Sequence, residues 1–165
     1  MLKILSYKND QLSETSKIEP LRIGTIYARF KIVARRKKIL IVDDNNDWRD
    51  LLAKFISLFG YEAIEADSGK ESIGKAFEMH PDLILMDIYL PDITGDKIIA
   101  RLKANPATRD IPVVITTALL EQTARNHSLH AGAAEILEKP FGIPTLREVL
   151  DRHLTTDEST ENGWS

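Results

Sequence analysis

From Lys38 onward the chain alternates short apolar runs with amphipathic stretches five times over, and this alternation constrains its fold more than any other feature. Repeated βα units of this kind assemble into a parallel sheet with helices packed against it. The first unit pairs Ile39-Leu40-Ile41-Val42 with a helix from about Asp47 to Phe59. In that helix Leu51, Leu52, Phe55, Ile56 and Phe59 form one apolar face, and Gly60 ends it as a C′ residue. The second runs from Tyr61 to Ala66, where apolar and acidic residues alternate as on an edge strand. Its helix is capped near Asp67 or Ser68 and stops before Pro81.

Leu83 to Met86 is purely apolar, as expected of a central strand covered on both faces. The helix after it begins beyond Leu90-Pro91-Asp92-Ile93-Thr94-Gly95 and ends near Asn105-Pro106. The fourth strand is Pro112 to Thr116, followed by a weakly amphipathic helix from about Leu119 to His130. The fifth, Ala134 to Leu137, leads through Lys139-Pro140-Phe141 to a last helix with Leu146, Val149 and Leu150 on its buried side.

The chemistry-bearing residues fall where these strands end: Asp43 and Asp44 after the first, Asp87 after the third, Thr117 after the fourth and Lys139 after the fifth. In an open parallel sheet the C-terminal strand ends converge on a crevice where ligands bind. Three carboxylates meeting there repel one another, so either their pKa values rise or a hard divalent cation lies among them. Taken singly, each residue has an ordinary reading. Asp43 or Asp44 could cap the next helix, Lys139 could form a surface ion pair, and Thr117 could satisfy its own hydroxyl locally. Asp87 directly follows four apolar residues, where an unpaired charge is costly to desolvate. The joint pattern points to one site, and a proline after Lys139 fits a cis bond there.

Composition narrows the classes further. The 165 residues are 43% hydrophobic and contain no cysteine, which suits one domain with tails and excludes disulfides and thiolate chemistry. No apolar run approaches the roughly 20 residues needed to span a bilayer, and the expected location is cytoplasmic. The net charge of −3 conceals a division: residues 1–36 carry eight basic and three acidic residues, while the remainder is acidic. The reading is therefore a basic N-terminal extension over 1–36, a domain over 37–154, and a disordered acidic tail over 155–165. Within the extension, Ile26 to Ala34 alternates as a strand would, yet Ile26, Phe30 and Val33 also fit a helical stripe, and the pattern does not decide between them. His80, His127, His130 and His153 have no spacing that makes a coherent metal cluster.

Lys38 to Leu154 resembles the receiver domain of two-component response regulators, the family that includes the chemotaxis receiver. The resemblance lies in Asp43-Asp44, in Met86-Asp87-Ile88-Tyr89-Leu90-Pro91-Asp92 with Thr94-Gly95, and in Thr117-Ala118, Ala131-Gly132-Ala133 and Lys139-Pro140-Phe141. It implies a doubly wound, flavodoxin-like α/β fold with five parallel strands in the order 2-1-3-4-5 and helices on both faces. It implies Asp87 as phosphoacceptor, with Mg²⁺ held by Asp44, by Asp87 and by the backbone carbonyl of Tyr89, and with Asp43 acting through water. Lys139 and Thr117 would contact phosphoryl oxygens, and the small Ala118 would leave their path open. The position three residues before the lysine, often an aromatic switch in this family, is Ile136, which implies altered or weaker coupling. Tyr89 and Leu119 occupy positions that influence phosphoryl lifetime, and their bulk implies a long-lived phosphoryl group.

The leading expectation is a stand-alone receiver, a phosphoacceptor and not an enzyme, because few residues remain after Leu154 for an effector domain. Its expected partners are a sensor histidine kinase or histidine phosphotransfer protein and a downstream protein target, with a homodimer allowed. Neither membrane nor nucleic acid is expected, since the basic stretch from Arg29 to Lys38 lacks a reader motif. Two alternatives come from other classes. One is a phosphorylation-independent scaffold of the same fold. The other is an aspartyl-nucleophile phosphohydrolase, which would want a second acid where Tyr89 stands.

Overall fold

The structure, a computed structural model, describes residues 35–118 and 122–154. Most of the basic extension, the acidic tail and Leu119 thus lie outside the described residues, and the described residues from Arg36 on belong to one compact unit. Five strands alternate with five helices: β1 Lys38–Val42, α1 Asn46–Leu58, β2 Glu62–Ala66, α2 Gly69–Met79, β3 Leu83–Met86, α3 Gly95–Lys103, β4 Val113–Thr117, α4 Gln122–Ala131, β5 Glu135–Glu138 and α5 Ile143–Leu154. The strands form one parallel sheet in the order β2-β1-β3-β4-β5, so β2 is an edge and β3 the centre. This is the flavodoxin-like topology expected from the family resemblance. Among the described residues no helix is long and apolar enough to cross a membrane.

The continuous apolar runs are explained by the two-residue period of a strand. Ile39 and Ile41 of β1 and Leu83 and Leu85 of β3 face a cluster with Leu52 and Ile56 of α1 and Leu146, Val149 and Leu150 of α5. Leu40, Val42, Ile84 and Met86 face the other cluster, with Ala76 of α2 and Ile98, Ile99 and Leu102 of α3. Burying both faces of β1 and β3 leaves no polar position inside either strand, so their polar neighbours are confined to the strand ends. The crevice is formed by that confinement.

Several local readings shift. Leu51, expected on the buried face of α1, is 40% exposed. The five apolar residues cover a wider arc than the sheet can meet, and the contact is made by Leu52 and Ile56, flanked by half-buried Phe55 and Phe59. Gly60 does follow the C-cap at φ +88°, a conformation with little penalty for glycine. The start of α2 is capped by Ser68, whose side chain accepts from the Glu71 N–H. On α4 the buried residue is Ser128 while Leu129 is exposed, which accounts for its weak apolar stripe.

Candidate functional site

The end of β1 supplies a buried carboxylate. Asp43 is 1% exposed, and its backbone N–H donates to the Ala66 carbonyl at 3.1 Å, continuing the β1–β2 pairing by one residue. Its Oδ1 accepts from the Asn45 N–H at 3.0 Å and its Oδ2 receives the Lys139 ammonium at 2.5 Å. Neither Asp43 nor Asp44 caps α1. Asn45 does, its side chain accepting from the Trp48 N–H at 2.9 Å, which leaves the Asp43 carboxylate to the crevice. Asp44 lies on the exposed side of the loop and, among the described residues, its carboxylate has no hydrogen bond or ion pair.

The end of β3 supplies the second partner. The Asp87 N–H donates to the Val42 carbonyl at 2.8 Å, which sets Asp87 beside the end of β1. Its Oδ1 accepts from the Tyr89 N–H at 3.0 Å and its Oδ2 receives Lys139 Nζ at 2.7 Å. The loop beyond is pinned from below. Ile88 and Leu90 are buried, and a Cβ at Gly95 would lie 3.0 Å from the Ile88 Cα and 3.3 Å from the Asp87 carbonyl oxygen, so glycine lets α3 start this close without moving the loop backbone. It is pinned from the side as well, because both Asp92 oxygens accept N–H groups at the start of α2, from Gly69 and Lys70 at 2.8 Å each. These bonds lower the Asp92 pKa below its ordinary value.

The last two strands set Thr117 and Lys139 side by side. Thr117, fully buried, is the final residue of β4, and its carbonyl accepts from the Lys139 N–H at 2.8 Å. The Lys139-Pro140 bond is cis. The ammonium also lies 5.5 Å from the centroid of the Trp48 ring, which meets Phe141 edge-on at 5.3 Å. Ala118 is exposed at the end of β4, and Ile136 is half-buried against the cluster that includes Ile115.

Asp43, Asp87, Thr117 and Lys139 are thus gathered at one end of the sheet, with Asp44 and the half-exposed Tyr89 on its two loops. Two carboxylates share one ammonium, an arrangement that relieves repulsion between charges in a partly desolvated place. Among the described residues no three histidines or acids form a ready-made metal cage. The donor set still fits Mg²⁺, which is bound by one or two carboxylates and keeps several waters. It is all oxygen, and Asp43 and Asp87 are held close enough to contact a single cation.

Sequence reasoning missed the residues that hold this arrangement. Asn45 was legible as an N-cap type, but two aspartates beside it offered the same chemistry. Arg49, Trp48 and Asp92 reach their partners across tertiary contacts, and nothing in a single sequence signals these.

A sequence model of the response regulator receiver domain matches residues 39–151. The chain is 36% identical over 118 residues to the polar-differentiation response regulator DivK of Brucella ovis, covering 72% of this chain and 96% of that protein. Among solved structures it resembles the chemotaxis protein CheY4 of Vibrio cholerae, with a TM-score of 0.69 and 28% identity over 72% of this chain and 99% of that one. It also resembles the receiver domain of the sensor histidine kinase PA1611 from Pseudomonas aeruginosa, described with a magnesium ion coordinated in the active site cleft. There the TM-score is 0.67 and the identity 29%, over 71% and 96% of the two chains.

Proposed function

Since the chain belongs to the response regulator receiver domain family, a family of signalling modules and not of enzymes in the ordinary sense, we propose that it accepts a phosphoryl group on Asp87. The donor is a phosphohistidine of a sensor kinase or phosphotransfer protein. An Asp87 oxygen attacks phosphorus in line as the P–N bond breaks, and the imidazole leaves with its electron pair and takes a proton. Such a transfer needs positioning and charge neutralisation more than acid–base chemistry.

The single observation that carries this reading is the Lys139 ammonium held on both Asp43 and Asp87. A cation already at the nucleophile can turn to an oxygen of the incoming phosphoryl group, a group that carries more negative charge than a carboxylate. Thr117, at the end of the neighbouring strand, donates its hydroxyl to a second oxygen. Asp44, Asp87 and the Tyr89 carbonyl would hold Mg²⁺, with Asp43 acting through water, and the ion would supply neutralisation of the phosphoryl charge. Tyr89, half exposed at the rim, restricts water and gives a long-lived phosphoryl group. Ile136, without the reach of an aromatic side chain, transmits the change by packing against its cluster. The product acts by binding another protein, in the cytoplasm.

The test is Mg²⁺-dependent labelling by a small phosphodonor. Wild type takes up one phosphoryl group per chain and Asp87→Asn takes up none. Equal labelling of the variant overturns the assignment, and loss of label within seconds overturns the long lifetime.

A further inference from the structure

We propose that Arg49 is a positioning residue for divalent-cation binding, fixing the loop that carries Asp43 and Asp44 by tying its backbone to β2. The inference deepens the phosphoacceptor reading and rests on it for the identity of the cation.

Arg49 lies in the first turn of α1 with its side chain only 13% exposed, and its guanidinium makes three separate bonds. Nη1 donates to the Asp43 backbone carbonyl at 2.7 Å, Nη2 to Asn46 Oδ1 at 2.5 Å, and Nε to Glu65 Oε2 at 3.2 Å. Glu65 belongs to β2, a strand that gives the site no residue of its own. Its backbone carbonyl in turn takes the ammonium of Lys75 from α2, so the anchor is held from behind. The fork therefore joins the peptide between the two aspartates to the edge of the sheet.

That peptide matters because of what Asp44 lacks. Asp43 is oriented by Lys139 and by the Asn45 N–H, but the exposed Asp44 carboxylate makes no hydrogen bond or ion pair among the described residues. The backbone therefore sets where this side chain starts, and Arg49 grips the carbonyl that precedes it. A residue that orients a ligand without touching the metal commonly governs affinity.

Arg49 is also a cation near an acidic mouth, and charge alone would make it oppose Mg²⁺. The two roles have opposite signs. Arg49→Lys keeps the charge and removes the planar fork, so it isolates positioning from electrostatics. Glu65→Gln alters the anchor from outside the site.

The experiment is calorimetric titration with Mg²⁺ of wild type, Arg49→Lys and Glu65→Gln, together with small-phosphodonor labelling at limiting and saturating Mg²⁺. Arg49→Lys is expected to raise the Mg²⁺ dissociation constant about tenfold, and Glu65→Gln to raise it less. Labelling by both is expected to return to the wild-type rate once Mg²⁺ saturates. An unchanged dissociation constant in Arg49→Lys overturns the proposal, as does a labelling defect that saturating Mg²⁺ does not restore. If Arg49→Lys fails to fold, Glu65→Gln decides alone: a raised constant supports the role and an unchanged one overturns it. Wild type that binds Mg²⁺ but takes no label sinks the phosphoacceptor reading and leaves Arg49 standing; labelled wild type with unaltered affinity in both variants does the reverse.

Discussion

Lys139 carries two jobs that pull in different directions. In the protein as described it neutralises a carboxylate that is 1% exposed and a second whose side chain is 15% exposed, so removing it leaves two like charges facing each other. Breaking a buried pair from one side costs more than the pair contributes, because the remaining charge keeps its desolvation penalty. Lys139→Met is expected to lower stability by about 1–3 kcal/mol in chelator. The same substitution removes a competitor for both carboxylates. Mg²⁺ should therefore bind it more tightly than wild type, by roughly three- to tenfold, equivalent to about 1 kcal/mol. Urea unfolding with and without Mg²⁺ measures both effects. Equal stability of the two proteins in chelator would show that the ammonium does not neutralise the pair.

At the scale of elements, the site depends on how two helices begin. Asn45 caps α1 and thereby frees Asp43 for Lys139, so Asn45→Ala should cost about 1 kcal/mol of stability and also weaken Mg²⁺ binding, read by the same titration. At the start of α2 a second loop adds to the Ser68 cap, with Asp92 receiving two further N–H groups and with Glu71 held by Lys75. The Asp92 pKa is lowered chiefly by its bonds to the Gly69 and Lys70 N–H groups. A carboxylate with a depressed folded pKa stabilises the protein above its unfolded value of 3.8 and loses that contribution as pH falls through the folded value. Asp92→Asn should therefore lower the Tm at neutral pH and flatten its decline in acid, whereas parallel wild-type and variant curves would refute the link. Packing at these starts is as tight as the hydrogen bonding. A Cβ at Gly69 would approach Ile98 Cδ1 to 2.7 Å and Asp92 Oδ1 to 3.2 Å. The nearest of these atoms is a terminal methyl that can turn aside, so Gly69→Ala should destabilise by only about 1 kcal/mol, checked by denaturant unfolding.

For the whole molecule, a ligand that binds only the folded chain stabilises it by mass action. Mg²⁺ at about ten times its dissociation constant should add about 1.4 kcal/mol, seen as a Tm rise that chelator reverses and that Asp87→Asn diminishes. An identical rise with a monovalent salt of equal ionic strength would assign the effect to screening of the acidic domain instead. What the sequence determined by itself was the succession of five βα units and the inventory of the site, while the strand order came with the family resemblance. Strands apolar at every position, such as Leu83 to Met86, can only be central, and such strands push their polar neighbours to the ends, where Asp43, Asp87, Thr117 and Lys139 stood out. Period and position suffice for that, because both are properties of local chain geometry. The tertiary structure alone decided which atoms meet. Leu51 turned outward because the sheet meets only part of the helix arc, Asn45 took the cap that two aspartates could have filled, and Arg49 and Asp92 found partners 16 or more residues away. Contacts of that separation depend on how strands are ordered and how helices lie across them, and no local pattern in the chain encodes the meeting of two loops.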